Sequence, residues 1–346
     1  MLVASILENP GQWNVHIERS IASTILAIIY DWPRDDPRTE AVIERVYDIA
    51  HRQASAAIPG NYLVEIFPSM IHLPEWLAKW KREGRAWFKK DSEMFVGMMK
   101  NVEDKINTSV VDSCLAADLI HGRAKHDLNE TQTAWLAGLM FLAGSETTSS
   151  TVSTALMAFV LHPEVVRKAQ AQLDVVVGRD RLPTFNDRMQ LPYIEAIVKE
   201  VLRWRPSAPI GVPRRASQDD WYKGYFIPKG ESSVEAIIRS INRDPKFFPY
   251  DADTFRPERY LNEDGELEDI LPDSHGYGHL SFGSGRRICA GKDLAVQMLF
   301  ISLATILWAF DIEKAVDARG DPITPLHGDP DLVDNGIVVY VEPSSS

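Results

Sequence analysis

Over most of the chain, hydrophobic and polar positions recur with helical rather than strand period. Between Trp13 and Tyr30, Ile17, Ile21, Ile25 and Ile28 return every three or four residues and predict one apolar face. A second helical pattern runs from about Thr39 to Ala56 and is broken by Ile58-Pro59-Gly60. From Trp80 to about Ile106 the pattern is amphipathic and basic, with Lys79, Lys81, Arg82, Arg85, Lys89 and Lys90, and reads as a solvated face. The longest pattern starts at Asn129, where Asn129 as N-cap and Gln132 three residues on form a capping box, and continues to Leu161, where His162-Pro163 ends it. At 1.5 Å per residue such a helix is roughly 50 Å long. A charged amphipathic helix over 163–177, a polar loop over 179–188, a helix over 192–204 and a last apolar helix over 294–310 follow. Strand-like stretches are short, at 221–228, 233–238 and 337–341, with Pro228-Lys229-Gly230 as a turn. The expected fold is mainly α with small β-sheets, an α+β arrangement.

Composition narrows the function classes. The 346 residues are 45% hydrophobic, enough for one large domain or two ordinary ones. A net charge of −12 without a long basic run argues against nucleic-acid binding. Two cysteines, Cys114 and Cys289, provide no disulfide framework and fit a reducing, intracellular compartment. The N-terminus lacks the basic start and apolar length of a signal peptide. The stretch 294–310 contains Gln297, Ser302 and Thr305 and falls short of the roughly 20 apolar residues of a membrane span. The segment 61–77 is apolar and irregular and reads equally as a packed loop or an exposed contact surface.

Three stretches carry candidate chemistry. Glu146 is the only charged residue between Gln132 and His162, within Ala143-Gly144-Ser145-Glu146-Thr147-Thr148. A lone carboxylate in an apolar helix is costly unless used or paired, whereas helical Ser and Thr commonly bond back to the preceding turn. Glu200 and Arg203 stand three residues apart and can pair on one helix face. The stretch Phe282-Gly283-Ser284-Gly285-Arg286-Arg287-Ile288-Cys289-Ala290-Gly291 leads straight into the last helix. A helix N-terminus, with Arg286, Arg287 and Lys292 nearby, favours a thiolate at Cys289. The glycines let backbone approach a large flat partner. A thiolate so held suits iron, and cysteine-ligated heme is the form associated with O–O cleavage. For a lone cysteine the plain alternative is an inert buried thiol.

Phe282, Gly285, Arg287, Cys289 and Gly291 resemble, position by position, the F-x-x-G-x-R-x-C-x-G signature of the cytochrome P-450 family. Residues 143–148 are similar to its [AG]-G-x-[DE]-T-[TS] motif. Glu200 and Arg203, followed by Arg259 in Phe255-Arg256-Pro257-Glu258-Arg259-Tyr260, are similar to its E-R-R triad. The resemblance implies a single partial P-450 domain over 1–346, with its helical core at about 129–310 and its heme-binding loop at 282–291. By the same resemblance the chain starts late, without the family's N-terminal anchor and first helices. Cys289 is then the axial ligand of heme b. Phe282, Gly283 and Gly291 belong to the cofactor loop, and Arg287 binds a propionate. Arg214, where many relatives have histidine, binds a propionate too. Glu146 and Thr147 serve proton delivery. The pocket is expected from the central helix between about Ala137 and Thr147, Ala143 included, from Ala208, Pro209, Ile210 and Val212, and from the turn at Ile337. O2 is co-substrate. Electrons come from NADPH through a separate flavoprotein reductase, because no flavin or nucleotide fingerprint occurs in the chain. The implied substrate is a lipophilic small molecule of fungal secondary metabolism. The implied location is the cytosolic face of the endoplasmic reticulum, with peripheral membrane contact through 61–77. Two other readings stand beside this one: a truncated, inactive remnant, and a peroxide-rearranging relative that needs no reductase. Glu146-Thr147 argues against the latter.

Overall fold

The structure is a computed structural model that describes residues 2–314 and 319–320, except 34, 59, 109–112, 231–232, 250, 269–273 and 275. The chain divides into two compact units, residues 1–149 and 150–346.

The first unit is helical: α1 (Leu2–Glu8), α2 (Trp13–Tyr30), α3 (Thr39–Ala57), the single turn α4 (Leu63–Ile66), α5 (Lys79–Asn107), α6 (Leu115–Gly122) and the first part of α7 (Glu130–Leu161). Ile17, Ile21 and Ile25 of α2 are buried as expected, but Ile28 is 42% exposed. The buried face turns along the helix, and Leu26, Ile29 and Tyr30 carry it over the last two turns. Asp31, in the left-handed region at φ 48°, then ends α2. The N-terminus of α7 holds the expected capping box: Gln132 N–H donates to Asn129 Oδ1 and Asn129 N–H to Gln132 Oε1, each at 2.9 Å. Two glycines let neighbours close on α7. A Cβ on Gly138 would lie 2.6 Å from the Phe95 ring of α5, and one on Gly144 would lie 2.9 Å from Ile25 of α2. A single carboxylate ties α3 to α5. Asp91, 3% exposed, accepts from Arg45 at 3.1 Å and from both terminal nitrogens of Arg52 at 3.1 and 3.2 Å. Arg52 also lies 4.0 Å above the Trp87 ring.

The basic face of α5 is only partly solvated. Lys81 Nζ donates to the carbonyls of Ile71 and Leu73, and Arg82 Nη1 to those of Glu75 and Trp76. The carbonyls of the irregular segment before α5 need donors, and the first turn of the helix supplies them. With its backbone satisfied from within, this segment turns side chains outward: Leu63, Ile66, Phe67, Ile71, Trp76 and Leu77 are each more than half exposed.

The second unit contains the rest of α7, then α8 (Pro163–Val176), α9 (Pro192–Trp204), α10 (Ile238–Ile241) and α11 (Lys292–Ala309). The expected polar loop over 179–188 instead runs into a 3₁₀ helix at Phe185–Gln190. Thr184 and Asp187 cap that helix reciprocally, and Arg181 grips Asp187 with two bonds at 2.6 and 2.7 Å. Two antiparallel two-stranded sheets hold the described strands of this unit. One pairs β1 (Arg214–Arg215) with β4 (Ser233–Val234); the other pairs β2 (Asp220–Tyr222) with β3 (Tyr225–Ile227). The expected strand at 221–228 is therefore a hairpin, turned by Lys223 and Gly224 at φ 49° and 85°. The expected strand at 233–238 stops at Val234, and the one at 337–341 lies outside the described residues. Helix α11 is the one described helix long and apolar enough to cross a membrane, contrary to the expectation for 294–310. It packs on α8 and α9 and buries Val296, Leu299, Phe300, Leu303 and Leu307, the behaviour of a core helix.

Candidate active site

In the second unit, the cysteine loop follows from its glycines and one backbone clamp. Gly283 and Gly285 take φ 73° and 63°, and a Cβ on either would meet no atom of the described residues. Their left-handed backbone, not crowding, reserves both positions for glycine. Gly283 N–H donates to Leu280 C=O at 2.8 Å, a 3₁₀ turn forms over Gly285–Arg287, and Cys289 N–H donates to Phe282 C=O at 2.9 Å. Cys289 is exposed, two residues before Gly291, the N-cap of α11. Arg286 and Arg287 are exposed on the same loop. The charge of Lys292 is taken up by Asp293, at 2.9 Å. Asp293 also accepts the Tyr277 hydroxyl, and these two donors lower its carboxyl pKa. Partial burial and that bond push the Tyr277 phenol up to about 12. Phe282 is gripped by rings, 5.1 Å from Tyr277 and 5.5 Å from His279. His279 is 2% exposed, and burial pushes its imidazole down to about 3, so the ring is neutral. Its Nδ1 accepts from Ser281 N–H at 3.2 Å, which puts the proton on Nε2, a buried donor with no partner among the described residues.

The structure brings Glu200, Arg203 and Arg259 together. Glu200 and Arg203 are both fully buried. Arg203 meets Glu200 through Nε at 2.7 Å and Nη2 at 2.8 Å, and donates also to the carbonyls of Asn242, Ala252 and Thr254. Arg259 Nε reaches both Glu200 oxygens at 3.1 Å, and Arg256 N–H donates to Oε1 at 2.8 Å. Burial pulls the Arg203 pKa down, but the Glu200 bonds and charge outweigh it and the net shift is upward. These bonds staple α9 to the segment 251–260.

The remaining expected positions of this unit lie elsewhere. Arg214 is exposed on β1. Ala208 and Ile210 are exposed and Pro209 is half-buried on the turn after α9. That turn is fixed by Gly211 N–H to Ala208 C=O at 3.2 Å and Arg239 N–H to Pro209 C=O at 2.9 Å. Ile337 lies outside the described residues.

In the first unit, α7 presents one exposed stripe, Leu136, Leu139, Ala143 and Thr147, spaced at three and four residues. Ala137 and Gly138, within the stretch expected to line a pocket, are instead buried, Gly138 against Phe95. Leu136 falls outside that expected stretch; counting back from Thr147 by fours and threes would have found it. Glu146 is half-buried beside the stripe. Burial raises its carboxyl pKa, and the charge of His51 only partly opposes this. Thr147 Oγ1 donates to Ala143 C=O at 2.7 Å, the back-bond common for helical threonine. Ser145 and Ser149 do the same toward Phe141 and Ser145.

The cytochrome P450 family model matches residues 14–331. The chain is 48% identical over 338 residues to cytochrome P450 monooxygenase 58 of Postia placenta, covering 98% of this chain and 63% of that protein. It is 43% identical to a cytochrome P450 monooxygenase of Armillaria gallica, covering 99% and 65%, and 34% identical to cytochrome P450 monooxygenase iboC of Amanita muscaria, covering 94% and 65%. The chain thus spans just under two thirds of the length of these relatives. With a motif-bearing cysteine loop at the head of α11, a buried Glu200–Arg203–Arg259 cluster and a family match over nearly its whole length, the chain belongs to the cytochrome P450 family.

Proposed function

We propose that the protein is a heme-thiolate monooxygenase that inserts one oxygen atom of O2 into a lipophilic small molecule. The observation that carries this is Cys289, exposed before α11 and fixed by the Phe282 carbonyl, in a chain of this family. The residues fit heme. A thiol is presented rather than buried, with two arginines exposed beside it. Gly291, the N-cap of α11 at φ −91°, has open space around a would-be Cβ among the described residues, which leaves room for a flat group beside it. Cys289 would hold the iron through its sulfur, and Arg287 and Arg214 would hold the propionates as charge-assisted donors. When bound, heme supplies oxygen activation, and a thiolate ligand favours O–O cleavage.

The chain's own contribution is binding and proton handling. Glu146, with its raised pKa, holds a proton nearer neutrality than an exposed glutamate does, as a general acid requires. The Ala143 carbonyl orients the Thr147 hydroxyl beside it. The apolar stripe of α7 offers lipophilic contact in the first unit, and the exposed Ala208 and Ile210 offer it in the second. Electrons from NADPH arrive through a separate flavoprotein reductase. The fungal relatives support a substrate from fungal secondary metabolism. The outward apolar side chains between Leu63 and Leu77 support peripheral contact of the segment 61–77 with a membrane; the membrane's identity as the cytosolic face of the endoplasmic reticulum is proposed from the family resemblance alone. The test is the CO difference spectrum of the reduced, hemin-loaded protein. Wild type is expected to show the red-shifted band of thiolate ligation, and Cys289→Ser to lose it. A band unchanged by the substitution refutes the ligand, and a chain that takes up no hemin refutes the proposed activity.

A further inference from the structure

We propose that Asn242 is a positioning residue that couples the buried arginine network to the cysteine loop; its functional consequence rests on the heme-thiolate reading above. Asn242 is fully buried, and every polar group of its side chain and its carbonyl is engaged. Its main-chain carbonyl accepts from Arg203 Nη1 at 3.0 Å. Its Oδ1 accepts from Leu280 N–H at 2.9 Å, and its Nδ2 donates to Ser281 Oγ at 2.9 Å and to Arg203 C=O at 3.4 Å. Ser281 Oγ passes the bond on to Leu202 C=O at 2.6 Å. One residue therefore touches the guanidinium at the heart of the buried cluster on one side and two consecutive loop residues on the other.

Those two residues lead directly into the cysteine loop. Leu280 C=O accepts from Gly283 N–H, and Phe282, next after Ser281, holds the Cys289 amide through its carbonyl. The direction of the amide is fixed by its neighbours: a backbone N–H must face Oδ1, while Nδ2 faces two acceptors. The requirement is thus specific. Aspartate in the same volume could accept from Leu280 but could not donate to Ser281 or Arg203. Alanine could do neither and would leave the part-buried Leu280 N–H without its acceptor. The clamp sets where the loop begins, and hence where Cys289 is held relative to α9.

The test is amide hydrogen exchange of the full chain, which needs no heme, together with hemin titration. In Asn242→Ala the amides of Leu280, Gly283 and Cys289 are expected to exchange about fivefold faster or more, the worth of a net buried hydrogen bond. Amides of α8 and α9 should change by less than about twofold. Asn242→Asp should keep Leu280 protected, and Ser281→Ala should loosen the loop in the same region as Asn242→Ala. Hemin-loaded Asn242→Ala should show a smaller share of the thiolate CO band at unchanged far-UV circular dichroism. Equal acceleration in α8, α9 and the loop makes Asn242 an ordinary core residue and overturns the proposal, as does no acceleration anywhere. A wild type that takes up no hemin counts against the proposed function, while the exchange data still decide on the clamp.

Discussion

Replacing Arg203 by alanine should cost the second unit much of its stability. The residue is fully buried and donates five hydrogen bonds, two to Glu200 and three to the carbonyls of Asn242, Ala252 and Thr254. Breaking a buried ion pair from one side costs about 3–5 kcal/mol, because the surviving charge stays in place. Here Arg259 still neutralises Glu200, which holds that term toward its lower end. Removing the donor from the Asn242 and Ala252 carbonyls adds about 1–3 kcal/mol each. The sum, about 5–9 kcal/mol, is comparable with the roughly 5–15 kcal/mol of a whole domain. Arg203→Lys keeps the charge but loses the planar fork, for about 2–3 kcal/mol. A control is Arg256→Ala, whose guanidinium pairs with Asp251 at the surface and should contribute less than about 1 kcal/mol. Urea unfolding followed by fluorescence and circular dichroism ranks the three. If Arg203→Ala costs no more than Arg256→Ala, the burial argument fails; if lysine costs as much as alanine, the charge is not what matters.

Further expectations concern pH and packing. Burial raises the Glu146 pKa in the folded state, so its contribution to stability is present at acid pH and lost as pH rises through the folded value. Glu146→Gln should therefore stabilise the chain at neutral pH, with the gain vanishing at acid pH; a destabilised Gln variant at pH 7 contradicts this. His279 has the opposite sign: lowered to about 3, it contributes stability above its unfolded pKa that is lost as pH falls. The expected loss between about pH 6.5 and about pH 5 is roughly 2 kcal/mol, absent in His279→Gln, and identical pH profiles of the two proteins would refute a neutral buried ring. Gly138→Ala, which helix propensity alone would favour by about 1 kcal/mol, should instead destabilise by about 1–3 kcal/mol because its Cβ meets Phe95; a thermal melt shows the sign, and Phe95→Leu should restore part of the loss.

Helix positions were legible because they rest on local signals. α2 and α9 begin and end where the periodicity and prolines put them, and the Asn129–Gln132 capping box forms as read. Arg259 joins Glu200 across 59 residues, legible only because the family motif names it. What stayed hidden depends on tertiary neighbours. Nothing in the sequence marks Asn242 as the joint between Arg203 and Leu280, since its meaning comes from two segments 39 and 38 residues away. His279 is likewise a bare histidine until Tyr277 and Phe282 close around it. Gly138 looks like a weak helix residue until Phe95 is seen against it, and the short α1 and α6 gave no strong periodic signal.

Asp91 has a mechanical consequence. One buried carboxylate of α5 holds Arg45 and Arg52, seven residues or about two turns apart on α3, so α3 cannot slide or turn past Asp91 without losing one of the two. The pair must then travel as one lever. Any displacement of the outward-facing connector between them, with Phe67 and Trp76 on its surface, is taken up by bending the connector or by tilting both helices together. Asp91 stands about one helical turn before Phe95, whose ring lies against Gly138 of α7, so the clamp on α3 and the close contact with α7 share one short stretch of α5.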